Sequence, residues 1–337
     1  MSASTDSSTS SSRPVRWGAL ATGRIAATVS RDLDHVPGAL RHAVASRDPS
    51  RATAFAREHG FAVAHGSHAD LVTDPQIDVI YVATPHPQHL AAAELALRAG
   101  TPVLVEKPLT ATLAGAERLV ALARETGTFC MEAMWTRFLP NGVRLAALVR
   151  DGAVGDVRTV HADLGMRVPD DPTSRYLDPA LGGGALLDVG VYPIALAQQL
   201  LGAPESVQVA GTLTPTGVDG DVALLVRSPG GATGLLSASI TSEPAGAAWV
   251  EGTAGRIEVP RSFERVPALH VHRRGAEVEV VDLGRRGTGY AHMLEHVQQC
   301  LAEGRTESPV MPLSDTLDVM RVVDTAQRVL GLDPRDG

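Results

Sequence analysis

The sequence contains little cysteine, with 2 residues in a chain of 337. Cys130 and Cys300 are far apart, and neither has a second cysteine nearby. Structural zinc sites and disulfide frameworks need several cysteines at short spacings, so neither can be inferred from this pair. Two isolated cysteines fit a protein that works in a reducing cytosol, and we expect a cytoplasmic location.

Basic residues are also few relative to acidic ones: 30 Lys and Arg stand against 38 Asp and Glu, for a formal net charge of −8. A nucleic-acid surface needs clustered Lys and Arg, so this balance argues against one. No run approaches about 18 consecutive apolar residues, the length of a membrane span. Residues 1–14 begin with a Ser/Thr-rich stretch that has no apolar core, and we interpret them as a disordered tail. We therefore expect a small-molecule partner, with no nucleic acid and no membrane.

The remaining chain is 44% apolar and 20% charged, a composition that supports two packed domains. In residues 15–136, short apolar runs predict strands at 15–21, 40–46, 79–84, 102–106 and 129–134. Helical patterns between them cover 25–33, 50–59, 88–99 and 113–125. Alternating strands and helices with nearly continuous apolar strands predict an α/β fold, a Rossmann domain with a doubly wound parallel sheet.

The pattern changes in residues 137–312, where we predict a second, α+β domain with a large and mostly antiparallel sheet. Helices are expected at 141–150, 187–201 and 290–302, and strands at 158–166, 207–213, 222–227, 233–240, 248–251, 256–260, 269–273 and 277–281. An amphipathic helix over 313–330, within a C-terminal segment of residues 313–337, is expected to pack back on the Rossmann domain.

The first predicted strand runs into Ala21-Thr22-Gly23-Arg24-Ile25-Ala26, which occupies the place of a G-x-G-x-x-G dinucleotide turn. Gly23 keeps the position where the backbone must come closest to a pyrophosphate, while Ala21 and Ala26 are small enough for a tight turn. Alone, such a turn could be an ordinary connection between a strand and a helix. The strand before it, the helix after it and the second strand that follows favour a dinucleotide site.

The second strand ends at Ser46-Arg47-Asp48-Pro49. Ser46 and Arg47 offer hydrogen-bond donors suited to a 2′-phosphate, which favours NADP over NAD. Asp48 could instead accept from the ribose of NAD. Because it directly precedes Pro49, we interpret it as the N-cap of the next helix.

The predicted strand at 102–106 delivers Glu106-Lys107-Pro108 to the carboxyl edge of the sheet, where open α/β folds bind ligands. Beside a positively charged nicotinamide and partly removed from water, the amine of Lys107 is expected to have a lowered pKa that suits acid–base chemistry. The alternative is a surface lysine in a turn.

Several motifs occur in order: Val82-Ala83-Thr84-Pro85 with His86 and His89, then Glu106-Lys107-Pro108, Gly182-Gly183-Gly184 and Asp188-Val189-Gly190-Val191-Tyr192. On the basis of these motifs, residues 15–330 resemble the glucose-fructose oxidoreductase / inositol dehydrogenase / MocA family. Residues 131–140 and 188–192 are most similar to its branch of dimeric dihydrodiol dehydrogenases and NADP-dependent D-xylose 1-dehydrogenases.

The resemblance implies hydride transfer between NADP and a CH–OH group of an aldose such as D-xylose or of a trans-dihydrodiol. It implies a family lysine at Lys107 and a catalytic position at Tyr192, which is His in many relatives. Asp188 and Tyr192, four residues apart, would share one helix face. We expect Tyr192 to take the proton, Lys107 to lower the tyrosine pKa, and Asp188 to bind a neighbouring hydroxyl. Proton transfer by Lys107 itself is the alternative, and the sequence does not decide.

The turn, the strand ends and the family motifs together predict the contacts of each ligand. The cofactor is expected to contact Thr22, Gly23, Arg24, Ile25, Ser46, Arg47, Thr84, Pro85, His86, His89, Glu106, Lys107, Trp135 and Arg137. The substrate is expected to contact Lys107, Trp135, Arg167, Asp188 and Tyr192.

Some of these residues have an ordinary structural alternative. His86 and His89 could be a surface pair at a helix start, Trp135 could be a core side chain, and Arg167, like Arg175, could be a surface arginine. His292 and His296 share a helix face, but no Glu lies between them as in an HExxH site, and we predict no metal.

Ala21 departs from the family pattern, which places a glycine there and thereby supports cofactor affinity. This departure leaves open a catalytically silent NADP-binding sensor of the same fold, although Lys107, Asp188 and Tyr192 together favour an enzyme. The resemblance also implies a homodimer or larger homo-oligomer that pairs through the sheet of the second domain.

Overall fold

The apolar runs of the first third of the chain become the strands of one sheet. The computed structural model describes residues 13–336. Its first sheet has six strands in the order β3-β2-β1-β4-β5-β6, and all neighbours are parallel. The strands are β1 (Val15–Leu20), β2 (Ala39–Ala45), β3 (Val63–His65), β4 (Val79–Val82), β5 (Val103–Val105) and β6 (Cys130–Glu132).

Five helices connect these strands: α1 (Arg24–Asp32), α2 (Pro49–His59), α3 (His68–Val72), α4 (His89–Arg98) and α5 (Leu113–Thr126). Their ends follow local chemistry. The Thr112 side chain accepts from the Gly115 N–H at the start of α5, and Gly127 ends that helix with φ +60°. Strands β4 and β5 are buried along their whole length, as expected for a parallel sheet covered on both faces.

The strand order reverses between β1 and β4, which creates a crevice at their carboxyl ends. This is the place where open α/β sheets bind ligands. The predicted Rossmann-type α/β fold is therefore confirmed. The sequence missed β3 and α3, because elements of 3 and 5 residues are too short to show a period.

The second sheet has eight strands in the order β14-β13-β12-β11-β7-β10-β9-β8. Its neighbours are antiparallel except for β10 and β7, which run parallel. The strands are β7 (Val157–Gly165), β8 (Ser206–Leu213), β9 (Asp219–Arg227), β10 (Thr233–Ser239), β11 (Ala248–Gly252), β12 (Gly255–Val259), β13 (Leu269–Arg273) and β14 (Glu279–Val281). The predicted mostly antiparallel sheet is thus confirmed.

Helices α6 (Pro140–Arg150), α7 (Val191–Leu201), α8 (Tyr290–Ala302) and α9 (Leu313–Leu330) complete the chain. The sequence predicts one helix over 187–201, but the structure begins this stretch with a π-helical segment, Leu186–Gly190, that leads into α7. Helix α9 packs against α5 and β6 on one side and against α7 and β8 on the other. It therefore contacts elements of both domains, whereas the sequence predicts contact with the first domain.

Part of the predicted tail, residues 1–12, lies outside the described residues. Arg13 is described, and its guanidinium pairs with the Asp78 carboxylate at 2.6 Å. By length and composition one helical stretch, Pro179–Leu201, is apolar enough to cross a membrane, with a mean hydropathy of 1.5. However, 67% of its 18-residue window is buried inside the structure, which fits a core helix.

Candidate active site

A cavity of about 760 Å³ lies at the carboxyl ends of β1, β4 and β5. Residues from both domains line it, and they include most of the ligand-contacting residues that the sequence predicts. These are Thr22, Gly23, Arg24, Ile25, Ser46, Arg47, Thr84, Pro85, His86, His89, Glu106, Lys107, Trp135, Asp188 and Tyr192. Predicted cofactor and substrate residues from distant parts of the sequence therefore border one space of a size typical for ligand sites.

The turn after β1 has a left-handed residue at Ala21 and an open glycine at Gly23. Ala21 has φ +116°, a conformation that L-residues rarely adopt and that costs on the order of 1–3 kcal/mol. Gly23 is the N-cap of α1, and a Cβ added there would meet no protein atom within 4 Å. The departure at Ala21 thus leaves the turn intact and leaves open space in front of Gly23.

The N-terminus of α1 is free to receive an anion. Its N-cap residue, Gly23, has no side chain that could cap the first N–H groups, and the first turn carries no acidic residue. The first N–H groups of a helix need partners, and a phosphate supplies them well. Thr84 Oγ1, across the cavity, is buried without a hydrogen-bond partner among the described residues. These observations fit a dinucleotide, with its pyrophosphate at Gly23 and Arg24.

Donors gather at the end of β2. Ser46 and Arg47 line the cavity as predicted, and Arg51 and His68 join them. Asp48 accepts from the Ser50 N–H at 2.9 Å and the Arg51 N–H at 3.4 Å, so its predicted role as the N-cap of α2 is confirmed. The sequence analysis did not single out Arg51, which lies in the first turn of α2.

The predicted catalytic residues come from two parts of the chain about 80 residues apart. Lys107 follows β5, Asp188 lies in the π-helical segment and Tyr192 is the second residue of α7. The Lys107 Nζ donates to the main-chain oxygen of Asp188, lies 3.9 Å from its carboxylate and lies 5.0 Å from the centroid of the Tyr192 ring. The predicted trio therefore meets at one point in the cavity.

Two aromatic residues, Trp135 and Tyr290, hold the Tyr192 side chain in position. Trp135 Nε1 donates to the Tyr192 hydroxyl at 3.2 Å. The Trp135 ring itself stacks on Tyr290, with ring centroids 4.7 Å apart and an interplanar angle of 17°. Tyr290 begins α8 and lines the cavity, and the sequence analysis did not single it out. Trp135 thus acts as a cavity wall and hydrogen-bond donor as well as a buried core side chain.

The charges at this centre correct one expectation from the sequence. Burial lowers the pKa of Lys107, but interactions with the acidic groups of Tyr192, Asp188 and Glu106 outweigh it, so the net pKa is raised. The sequence analysis expected a lowered pKa because it considered burial and the nicotinamide charge without these acidic neighbours. In the cofactor-free protein, Lys107 is therefore an ammonium ion.

The pKa values of Tyr192 and Asp188, the two neighbours of Lys107, are shifted in opposite directions. Burial raises the pKa of Tyr192, and the nearby Lys107 charge only partly opposes this, so Tyr192 holds its proton. Burial also raises the pKa of Asp188, but the charges of Lys107 and Arg175 outweigh it and hold this pKa below its usual value. The site thus presents a phenol, an ammonium and a carboxylate at neutral pH.

Glycines position the segment that carries Asp188. Asp219, 2% exposed at the start of β9, accepts from the Leu186 N–H at 2.6 Å. Gly184 has φ +119°, and a Cβ there would lie 2.2 Å from the Asp219 carboxylate. Burial raises the pKa of Asp219 to about 7. The third glycine of the Gly182-Gly183-Gly184 motif therefore makes room for a carboxylate that caps the catalytic segment.

His86 and His89 line the cavity, and both also bind main-chain oxygens. His89 is fully buried, with ring nitrogens 2.8 Å from the carbonyl oxygens of Thr84 and Pro108, so it joins the loops after β4 and β5. His86 Nδ1 lies 3.1 Å from the Gly182 oxygen, and burial lowers its pKa to about 3. His86 is therefore neutral and donates from Nδ1.

Two residues that the sequence predicts to contact ligands, Arg137 and Arg167, are placed outside the cavity lining by the structure. Arg137, 2% exposed, points away from the cavity, pairs with Asp315 at 2.6 Å and bonds the Gln198 side chain, joining α9 to α7. The Arg167 side chain is 69% exposed and pairs with Asp170. Among the described residues neither lines the cavity, because the 3-10 turn after β6 turns Arg137 inward and Arg167 leaves β7 on the solvent side. Arg175 lines the cavity instead.

The two histidines of α8 serve local contacts. His292 Nε2 accepts from the Arg286 N–H at 3.1 Å, and His296 Nε2 lies 2.7 Å from Ser308 Oγ. Within residues 13–336 no group of three or more His, Cys, Asp or Glu side chains is arranged to hold a metal ion.

Comparisons with known proteins agree with this geometry. Residues 15–134 match the model of the oxidoreductase family with an NAD-binding Rossmann fold, and residues 143–258 match the GFO/IDH/MocA C-terminal domain. Human trans-1,2-dihydrobenzene-1,2-diol dehydrogenase is 35% identical over 332 residues, covering 96% of this chain and 99% of the relative.

Solved structures match over nearly the whole chain. Aldose-aldose oxidoreductase from Caulobacter crescentus, complexed with glycerol, has a TM-score of 0.86 and 26% identity, covering 95% of this chain and 98% of the other. A 3-ketoreductase from Actinomadura kijaniata, in complex with NADP, has a TM-score of 0.82 and 28% identity, covering 94% and 98%.

Proposed function

This chain belongs to the GFO/IDH/MocA family and is an NAD(P)-dependent oxidoreductase, and we propose that it oxidises a CH–OH group of a free sugar or a cyclic diol with NADP. The proposed substrates are an aldose such as D-xylose or a trans-dihydrodiol. Two similar proteins support this range: one is named for a dihydrobenzene diol and the other for aldoses.

The observation that carries the proposal is the meeting of Lys107, Asp188 and Tyr192 at one wall of the cavity. A proton-transfer group must lie within hydrogen-bond reach of the hydroxyl it serves. Vicinal hydroxyls need two adjacent polar partners, which a phenol beside a carboxylate supplies. This convergence also favours an enzyme over the silent sensor, which has no use for all three side chains.

In the proposed mechanism, Tyr192 accepts the proton of the reacting hydroxyl while the hydride leaves the same carbon. A bound oxidised nicotinamide would supply the hydride acceptor and a positive charge at the site. The Lys107 ammonium stabilises the phenolate form of Tyr192 that accepts this proton, and Trp135 keeps the Tyr192 oxygen oriented through its 3.2 Å hydrogen bond. Asp188 accepts from a neighbouring hydroxyl, held in place by Arg175 at 3.1 Å. Direct proton transfer to Lys107 is the alternative; the pKa values of both groups are raised, so either must lose its proton before it acts as the base.

The cofactor is proposed to be NADP, with NAD as a weaker alternative. Ser46, Arg47, Arg51 and His68 border the cavity where β2 ends, and the carboxylate at that strand end, Asp48, is engaged in capping α2. Cationic donors there favour a 2′-phosphate.

A substrate panel followed at 340 nm tests the proposed function directly. We expect NADP reduction with at least one of D-xylose, another aldose or a trans-dihydrodiol. Tyr192→Phe serves as the matched negative control, because it removes a single oxygen. An absence of cofactor reduction across the panel, in a protein that binds NADP, would contradict an enzyme for sugars or diols.

We also propose that the protein is a homodimer formed through the second sheet. One face of this sheet carries the exposed Leu235, the half-buried Leu225 and Trp249 and a shallow depression of about 500 Å³. A broad face with apolar side chains is typical of an association surface, and a twofold contact would cover it on both copies. A cytoplasmic location is proposed as well, supported by two free, buried cysteines.

Light scattering at micromolar concentration is expected to report about twice the chain mass of 35.3 kDa. Leu235→Asp should shift the mass towards that of the monomer, because it places a charge in the middle of the apolar face. Exposed Val143→Asp, on α6, is the matched control and should remain dimeric. A monomeric mass for the unmodified protein would contradict the proposal.

A further inference from the structure

A connected row of side chains crosses the mouth of the cavity. It starts at Arg24, whose Nη2 donates to the Tyr176 hydroxyl at 3.1 Å. The Arg175 guanidinium lies 4.0 Å from the centroid of the Tyr176 ring. Its Nη2 then donates to the Asp188 carboxylate at 3.1 Å. Four side chains thus join the loop after β1 to the catalytic carboxylate, and all four line the cavity.

The two ends of this row face different ligands. Arg24 follows Gly23 at the open N-terminus of α1, where the pyrophosphate fits. Asp188 lies beside Lys107, where a substrate hydroxyl fits. Tyr176 and Arg175 stand between them on the segment that connects β7 to the π-helical segment. The segment contributes residues to both ligand sites.

Tyr176 makes two chemically different contacts, and each has a separate consequence. Its hydroxyl restrains the long and exposed Arg24 side chain, which would otherwise lose rotamer freedom when it binds a phosphate. Its ring restrains the Arg175 guanidinium, because a planar guanidinium stacks on an aromatic face. Restraining a side chain before binding lowers the entropy lost on binding.

We propose that Tyr176 is a positioning residue that links the two sites: its hydroxyl aligns Arg24 for the pyrophosphate, and its ring holds Arg175 against Asp188. The proposal rests on the proposed binding of NADP and adds a residue that neither the glycine turn nor the catalytic trio includes. It predicts that the two contacts of Tyr176 can be separated by substitution.

The test measures binding by calorimetry without turnover. Tyr176→Phe removes the hydroxyl and keeps the ring, so the dissociation constant of NADP should rise about three- to tenfold, the size of a typical net hydrogen bond, because the hydroxyl acts on NADP only through Arg24. Adenosine 2′-monophosphate has no pyrophosphate and should bind Tyr176→Phe and the unmodified protein equally. Arg167→Gln, an exposed change on the same connecting segment, is the matched control and should alter neither affinity.

A second variant separates the ring from the hydroxyl. Tyr176→Leu removes both contacts, so it should match Tyr176→Phe in NADP affinity and also raise KM for the best substrate of the panel by a further severalfold. Its kcat should change less than its KM, because Tyr192 and Lys107 remain in place.

A double-mutant cycle checks that Tyr176 acts through Arg24. In an Arg24→Gln background, Tyr176→Phe should change NADP affinity by less than twofold, because the bond it removes is already lost.

Unchanged NADP affinity in Tyr176→Phe, with normal binding by the unmodified protein, overturns the link while leaving the proposed function standing. An equal loss of affinity for adenosine 2′-monophosphate overturns it too, because the whole site would then have been disturbed. Failure of the unmodified protein to bind NADP would instead contradict the proposed cofactor.

Discussion

Replacing Tyr192 with phenylalanine is expected to lower turnover about 10²–10⁴-fold, the usual contribution of a general acid or base. NADP affinity should stay nearly unchanged, because the substitution removes one oxygen and keeps the ring beside Lys107. The measurement is a steady-state assay with the best substrate of the panel, paired with cofactor binding. Near-normal turnover would mean that Tyr192 is only a wall of the cavity.

Lys107→Met should cut turnover at least as strongly, because it removes the cation that stabilises the Tyr192 phenolate. If both residues serve one proton, the double variant should be little worse than the poorer single variant. Multiplying effects would show that the two side chains serve separate steps. Full activity in both single variants would mean that the reacting centre lies elsewhere.

The pH dependence separates Tyr192 from Lys107 as the base. Burial raises the pKa of Tyr192 in the free protein. Oxidation needs Tyr192 as a proton acceptor, so its rate should rise with pH towards that pKa, on the alkaline side. Reduction needs Tyr192 as a donor, so its rate should hold at neutral pH and fall as pH passes the same pKa. The alkaline rise in oxidation should vanish in Tyr192→Phe; if it persists, Lys107 is the base.

Removing Arg47 and Arg51 is expected to have the second-largest effect, on the choice of cofactor. A hydrogen bond to a charged group contributes about 1.5–3 kcal/mol, and about 1.4 kcal/mol corresponds to tenfold in affinity. Both side chains are exposed, so solvent screening weakens their contacts with the 2′-phosphate. We therefore expect each alanine substitution to lower NADP affinity about tenfold, and the pair to lower it about 10²-fold. NAD affinity should change little, because NAD has no 2′-phosphate.

The measurement is the dissociation constant of both cofactors at two salt concentrations. The loss for NADP should shrink as salt rises, because screening weakens the contacts in the unmodified protein. Arg57→Ala is the matched control: it removes an exposed arginine of the same helix that does not line the cavity among the described residues. Equal losses for NADP and NAD would contradict a 2′-phosphate site at these residues.

Long elements with a clear period were predictable from the sequence alone. Predicted helices and strands agree with α5, β7, α8 and α9 to within a residue or so, because their apolar faces repeat at helical or strand spacing. Local chemistry was equally informative at Asp48, where an Asp before a Pro predicts an N-cap. From Gly23 and from the strand ends at Ser46 and Lys107, the sequence predicted residues that line one edge of the cavity.

Side-chain direction outside regular elements was not predictable. Arg137 matches a family segment, yet it points inward and holds α9, because a 3-10 turn has no long period from which a face can be read. Tyr290 and Tyr176 line the cavity only because the fold brings segments that are distant in sequence together there. Nothing in their neighbouring residues indicates such a contact.

By itself, the sequence determined the two kinds of sheet and the turn at Gly23, because periodicity and turn chemistry are local properties of the chain. Its motifs also carried the family resemblance from which the roles of Lys107, Asp188 and Tyr192 are predicted. The tertiary structure decided how those residues are charged. The pKa of Lys107 is raised because the acidic groups of Tyr192, Asp188 and Glu106 lie near its amine and together outweigh the effect of burial. Of these, Asp188 is 81 residues away in sequence, and its carboxylate lies 3.9 Å from the amine. Electrostatic interactions depend on distance in space, and that distance is set by how the two sheets pack around the cavity.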